Sequence, residues 1–363
     1  MPDNIGDVYL NYQDMMRKTN NLNTPLEVIG RELDSVNEFI TDLPLVRASN
    51  IDYDEGAFIE PWRKDAHSDL SDFQSPYFSH DFDTYGRKDY TFLRKSAIAM
   101  KRNDFRKNPA AMESYRMKLT ALTISDIMRD ISDDFVHGSP KKDIRHAIGL
   151  EARFDRLTDM DGKILSGTDA GKINPYITLD AGGGSGSGHG TSGKLTSVYL
   201  LIPSPEGVCR IYPSEGDFVG GITYLAGDWT RNKEQDAVTG KYGWNDERVD
   251  FLDVCQGLCF MNRRAGIRIA NVDLYSKEGL DALVDKYYEA SELMQECTVK
   301  GQIILYANSK TRVELKKYFN NKKNPLTAVQ AKPEQANVVD YYIDETVKIR
   351  PNNHILATEE RIA

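Results

Sequence analysis

The sequence predicts an α+β fold, and two observations carry that reading. Between Pro109 and His137 the apolar residues recur every three to four positions, the period of a helix with one buried face. After Asp161-Gly162 the chain changes to short, nearly continuous or alternating apolar runs separated by turn residues, the pattern of strands. No internal repeat runs through either half.

The chain has 363 residues, of which 40% are apolar and 28% charged, which is enough to build one large domain or several modest ones with real cores. No window approaches eighteen consecutive apolar residues, so no membrane partner is expected. The first thirty residues lack the basic start, apolar stretch and cleavage site of a secretion signal, so use in a cytoplasm is expected. With 46 basic against 55 acidic residues the net charge is -9, which argues against a protein that grips nucleic acid through its phosphates.

Along the chain, Thr24, Pro25 and Glu27 form a helix start, with Thr24 as cap, Pro25 at the first turn and Glu27 closing a capping box. That helix is predicted to end near Leu33, and Pro44 closes a second apolar stretch around Val36, Phe39, Ile40 and Leu43. A polar arm of this kind is expected to dock on something other than its own core. From 51 to 92 the composition shifts to Asp, Ser, Tyr and Phe, with Pro61 and Pro76 and no helical period, which reads as a projecting loop or hairpin. Its rings, among them Trp62, Phe73, Tyr77, Phe78, Phe82, Tyr85, Tyr90 and Phe92, need a partner surface in the chain's own core or on a neighbouring subunit.

Pro109 opens the long helix. Met112, Tyr115, Leu119 and Leu122 form one stripe and Ile124, Ile127, Ile131 and Phe135 an offset one, until Gly138 and Pro140 stop it. A second helix is predicted over about 143–157. Strands are predicted at 196–202, 208–212, 249–261, 266–272 and 301–307, with a helix capped by Ser276 between the last two and another over about 310–319. The tail returns as extended chain, with short strands at 346–350 and 354–358.

Chemistry-bearing motifs are few. Gly188 to Lys194 spells GxxxxGK, but Leu195 stands where Ser or Thr would hold Mg²⁺, and a strand follows where a phosphate-binding helix should start. A flexible Gly/Ser connector is the better reading of 182–193. Asp155, Asp159, Asp161 and Asp180 lack the full cation-loop pattern, and an Asp-Gly turn explains Asp161-Gly162. Cys209, Cys255, Cys259 and Cys297 include no CxxC pair, and the six histidines show no ligand spacing. No cofactor, metal or catalytic group is assigned, and the thiols are expected to be reduced and to form no close pair. Lys141, Lys142, Arg145, His146, Arg153 and Arg156 read most simply as a solvated helix face. The sharper alternative makes Arg145 and Arg153 ion-pair partners of a neighbour's acidic arm or loop.

Three stretches resemble a subfamily of tailed-bacteriophage major capsid proteins, best known from short-tailed phages, which share the Hong-Kong-type (Johnson) fold. They are the arm ending in Ile40-Thr41-Asp42-Leu43-Pro44-Leu45-Val46-Arg47; Thr196-Ser197-Val198-Tyr199-Leu200-Leu201 running on through Gly207 to Arg210-Ile211-Tyr212-Pro213; and Gly257-Leu258 followed by Arg263, Arg264 and Arg268-Ile269-Ala270-Asn271-Val272-Asp273. The closing 349–359 is similar in layout. The resemblance implies an N-terminal arm (1–50), an extended loop (51–92), a peripheral domain with a spine helix (93–163 with 326–363) and an axial domain (164–325). It further implies a self-assembling icosahedral shell of pentamers and hexamers, built in the host cytoplasm and found in the virion.

Expected partners are a scaffolding protein, a portal, a cement protein and packaged DNA bound without sequence specificity. With no long coiled coil ahead of Thr24, the scaffold is expected to be a separate chain. The inter-subunit contacts are expected at Trp62, Arg63, Phe73, Tyr77, Phe78, Phe82, Arg145 and Arg153. Two other readings remain open: an enzyme using the Gly-rich loop for a phosphorylated ligand, and a non-viral compartment shell of the same fold.

Overall fold

A computed structural model of the chain describes residues 38–59, 84–102, 111–143, 145–184, 194–216, 218, 220–235, 242–295, 297, 299–321, 330–335, 338–343 and 347–362. The helix start at Thr24 lies outside these residues. The arm ends in a short helix α1 (Glu38–Asp42) and strand β1 (Leu45–Arg47). A hairpin of β2 (Tyr53–Ile59) and β3 (Thr84–Tyr90) follows, then β4 (Phe92–Lys101). The long helix α2 (Ala111–His137) leads to a single turn α3 (Leu150–Arg153). The strand-rich region contains β5 (Ile177–Asp180), β6 (Thr196–Leu201), β7 (Val208–Tyr212), β8 (Ile222–Leu225), β9 (Trp229–Gln235), β10 (Tyr242–Phe260) and β11 (Gly266–Val272). Helix α4 (Lys277–Gln295), β12 (Ile304–Ala307), α5 (Ser309–Asn321), β13 (Gln330–Gln335), β14 (Val338–Ile343) and β15 (Val347–Pro351) complete the chain.

Two sheets organise these elements. The first runs β1-β7-β10-β4, with β8 and β9 also paired to the long β10. The second runs β13-β14-β15-β12-β6-β11-β5. Every residue of β6, β11 and β12 is buried, as the continuous apolar runs predict for strands covered on both faces. The pairing links strands from distant parts of the chain. β14 and β15 join the second sheet, because β15 lies parallel to β12 with Val347 and Ile349 buried, whereas β8, β9 and β10 pair into the sheet of β4.

Helix α2 has 27 residues, a rod of roughly 40 Å at 1.5 Å per residue. Of its two stripes, Ile124, Ile127, Ile131 and Phe135 are buried, while Tyr115 and Leu122 are exposed. Phe135 meets Phe92 of β4 edge-on with centroids 6.1 Å apart. The N-terminal half is tied down by charge. Asp250, fully buried on β10, accepts from Arg116 Nε (2.7 Å), the Tyr224 hydroxyl (2.8 Å) and the Gly227 N–H (2.9 Å).

Four expectations need correction. The helix predicted over 143–157 shrinks to α3, because the Gly149 N–H bonds back to the Gly138 carbonyl (2.9 Å) and packs 145–149 against the end of α2 as irregular chain. A side chain at Gly149 would meet the Asp134 carbonyl at 2.7 Å, so the close approach depends on glycine. The strand predicted at 354–358 is a series of turns, since Asn308 Nδ2 and Thr196 Oγ1 donate to the Ile355 and Leu356 carbonyls at 2.7 Å each. The arm's Phe39, Ile40 and Leu43 lie in the chain's own core, where Phe39 meets Tyr306 at 4.9 Å and Asp42 accepts from the Tyr306 hydroxyl. Finally, the cysteines do form a close pair: Cys209 and Cys259 are direct cross-strand partners between β7 and β10, both buried and free.

Candidate interface site

The hairpin β2–β3, termed the loop base below because it flanks 60–83 of the expected extended loop, is in register from Tyr53 opposite Tyr90 to Ile59 opposite Thr84. Strand alternation puts Asp54, Arg87 and Asp89 on its inner face, and all three are buried. Arg87 is held by Asp54 (2.6 Å), the Cys259 sulfur (2.6 Å) and the Phe260 carbonyl (2.8 Å), with Asp89 at 3.7 Å. Asp89 also accepts from Arg153 Nη2 at 2.6 Å. The remaining donors of Arg153 reach the Leu258 carbonyl (2.9 Å), the Tyr176 hydroxyl (2.7 Å) and the Ile148 carbonyl (3.1 Å). Its guanidinium also lies 5.1 Å from the Phe260 ring centroid. An alternating chain Asp54, Arg87, Asp89, Arg153 thus bolts the loop base to the end of β10 and to α3.

Burial opposes the charge on both arginines, but the neighbouring carboxylates outweigh it and hold both guanidinium groups above their ordinary pKa. The Cys259 thiol is pushed far up by its contact with Cys209 and by burial, so it stays neutral beside Arg87. A cleft of about 440 Å³ opens between the loop base and 148–156, with Lys88, Lys141, Asp155, Arg156 and Tyr176 on its wall.

The expected contact residues separate into three groups. Trp62, Arg63, Phe73, Tyr77, Phe78 and Phe82 lie outside the described residues. Arg145 is on the surface and gripped in bidentate fashion by its own Asp143, whose carboxyl it holds well below the usual range. Arg153 faces inward and spends its donors inside its own subunit, so its assignment to a neighbour is corrected: only 1% of its side chain is exposed. Sequence reasoning passed over Asp54, Arg87 and Asp89. The available pattern was opposite charges at strand spacing on two segments able to pair as a hairpin.

A second buried network holds the C-terminal segment. Arg268 on β11 donates to Glu359 (2.9 Å), Ser197 (2.9 Å) and the Phe154 carbonyl (3.0 Å). Asn271, in the left-handed region at φ 57°, receives the Ile362 N–H and donates to Asp180 and the Ile362 carbonyl. Around the Gly-rich segment, 185–193 lies outside the described residues, and Lys194 leads directly into the buried strand β6.

A core-anchored arm end, a bolted hairpin base, a long helix laid on a sheet and a second sheet closed by the return strands define the shell subunit of a tailed-phage head, of Hong Kong type. The sequence model of the family described as Major capsid protein GP7 matches residues 96–363. The chain belongs to that family, and its role is structural: it builds the capsid of the virion together with copies of itself.

The chain also aligns with solved structures. A chain of bacteriophage Epsilon15 shares 16% identity at a TM-score of 0.55, covering 88% of each chain. The capsid of bacteriophage JBD30 gives 10% identity and a TM-score of 0.47, covering 89% of this chain and 92% of its own. The SrpI encapsulin of Synechococcus elongatus gives 12% identity and a TM-score of 0.36, over 67% of this chain and 90% of its own. No curated protein matches the sequence.

Proposed function

We propose that copies of this chain form pentamers and hexamers in which the extended loop of each subunit lies across the next. The observation that carries the reading is the buried ion chain at the loop base. It fixes the direction of a hairpin whose ring-rich continuation, 60–83, holds Trp62, Phe73, Tyr77, Phe78 and Phe82. A rigid base flanking a ring-rich segment suits a clamp, since burying those rings on a neighbour contributes roughly 25 cal/mol per Å². Arg63 and Arg145 supply charged contacts at the rim, where such pairs add specificity more than affinity.

In this reading the peripheral domain is 93–163 with 326–363, built on α2, and the axial domain is 164–325. The shell encloses DNA without sequence-specific contact, which the net charge of -9 favours. It assembles in the host cytoplasm with a separate scaffolding protein, closes on a portal and takes a cement protein outside. Function resides in interfaces, and no catalytic group is assigned.

Trp62→Ala and a deletion of 185–190, made side by side, test the loop assignment. Both variants are expected to fold by circular dichroism. Trp62→Ala should then lose particles under the microscope, while the deletion keeps them. A folded deletion variant that cannot assemble, beside a Trp62→Ala protein that assembles normally, contradicts the assignment. Titration with a nucleotide by calorimetry is expected to give no saturable heat, and saturable heat would favour a phosphate-binding role for the Gly-rich segment.

A further inference from the structure

Three of the six histidines, His137, His146 and His354, gather where α2 ends. His137 is the last residue of α2. Its Nδ1 lies 2.8 Å from Glu151 Oε2 on α3, and its Nε2 lies 2.6 Å from the backbone carbonyl of His354. Both partners are acceptors, and a neutral imidazole carries only one N–H. The two contacts can both be hydrogen bonds only when the ring is an imidazolium. Loss of the proton turns one of them into two lone pairs facing each other, inside hydrogen-bond distance and with the ring about three-quarters buried.

The surroundings favour the cation. From α2, Asp133 lies 4.0 Å from His137, and the open carbonyls of the helix end add negative potential. Asp133 also meets His354 Nδ1 at 3.2 Å. One turn away Asp134 meets His146 Nδ1 at 2.6 Å and pairs with Arg94 of β4, which also reaches Asp130. Asp143, 3.9 Å from His146, is held by Arg145. The Glu151 hydrogen bond is the largest influence on His137; burial opposes it, and the Glu151 charge, the His354 carbonyl and Asp133 reinforce it, so the pKa rises above the ordinary 6.5.

We propose that His137 is a proton-operated clip that joins the spine helix and α3 to the return segment at 352–355. Helix α2 packs on β4 of the first sheet, while the return segment leaves β15 of the second and runs on to Glu359 in its pair with Arg268. One proton therefore sets how tightly the helix of one sheet holds the closing segment of the other. The sign follows from the raised pKa: the clip is complete below the unfolded pKa near 6.5 and is lost as pH rises through the folded value.

Deuterium exchange at the imidazole C2 position, read by mass spectrometry on the full-length protein across a pH series, reports the titration of His137 itself. In Glu151→Gln the amide donates to Nδ1, so a neutral ring satisfies both contacts, and the His137 midpoint should fall relative to wild type. An unchanged midpoint overturns the clip. In parallel, the thermal midpoint of the wild-type chain should drop between about pH 6 and about pH 8, and His137→Gln should flatten that drop. An identical drop in both proteins also overturns it. If His137→Gln fails to fold, the Glu151→Gln exchange alone decides.

Discussion

Asp89 shows most plainly how single residues hold this subunit together. One carboxylate, 1% exposed, serves Arg153 at 2.6 Å and approaches Arg87 at 3.7 Å. Removing it takes the carboxylate from Arg153, which is too buried to recover solvation, and leaves Arg87 to Asp54 alone. Asp89→Ala should therefore cost about 3–5 kcal/mol, the range for breaking a buried pair from one side. A denaturant melt of the isolated chain measures it. The double variant Asp89→Leu/Arg153→Met, which removes both charges and keeps the volume, should lose much less than Asp89→Ala. A double variant as unstable as the single one would show that geometry rather than charge holds the loop base. None of this was legible from Arg153 in isolation: a basic residue on a helical stretch reads as solvated, and its turn inward depends on a hairpin 64 residues earlier in the chain.

The elements were unequally legible, for physical reasons. Strands β6, β7 and β11 stand out because both faces are largely buried and apolar residues fill most positions, so local sequence carries the pattern. The start of α4 was legible from Ser276, whose hydroxyl accepts from the Gly279 N–H at 3.0 Å. Strand β4 was missed because Arg94 and Ser96 stand at its inward positions and break the apolar alternation; Asp134 and Asp130 of α2 answer Arg94.

The long helix shows two stripes in sequence, and only the sheet beneath it decides which one is buried. That decision can be checked at the scale of the helix. Ile131→Ala, at a fully buried position, should cost about 2–5 kcal/mol, whereas Leu122→Ala, at a position 63% exposed, should stay within about 0.5 kcal/mol. Thermal melts followed by circular dichroism separate the two. Equal losses would mean that the helix packs through both stripes within one subunit.

For the molecule as a whole, the two sheets are fastened by segments far apart in sequence. The arm end lies under Tyr306, the loop base on β10, and the C-terminal segment on β11 through Arg268 and Asn271. The order of arm, loop, helix and strand-rich body was legible in the sequence together with the family resemblance. The partition of strands between sheets was not, because β15 joins the second sheet only through pairing with β12 across the fold, and β14 follows by pairing with β15.

The most direct test of the clamp uses particles reassembled from an equal mixture of isotopically light and heavy subunits, treated with a lysine cross-linker and analysed by mass spectrometry. Lys64, two residues beyond Trp62, should appear in mixed light-heavy cross-links to lysines of a neighbouring subunit, as expected of a loop lying across the next copy. Cross-links of Lys64 that are exclusively light-light or heavy-heavy would place the loop on its own subunit and contradict the account.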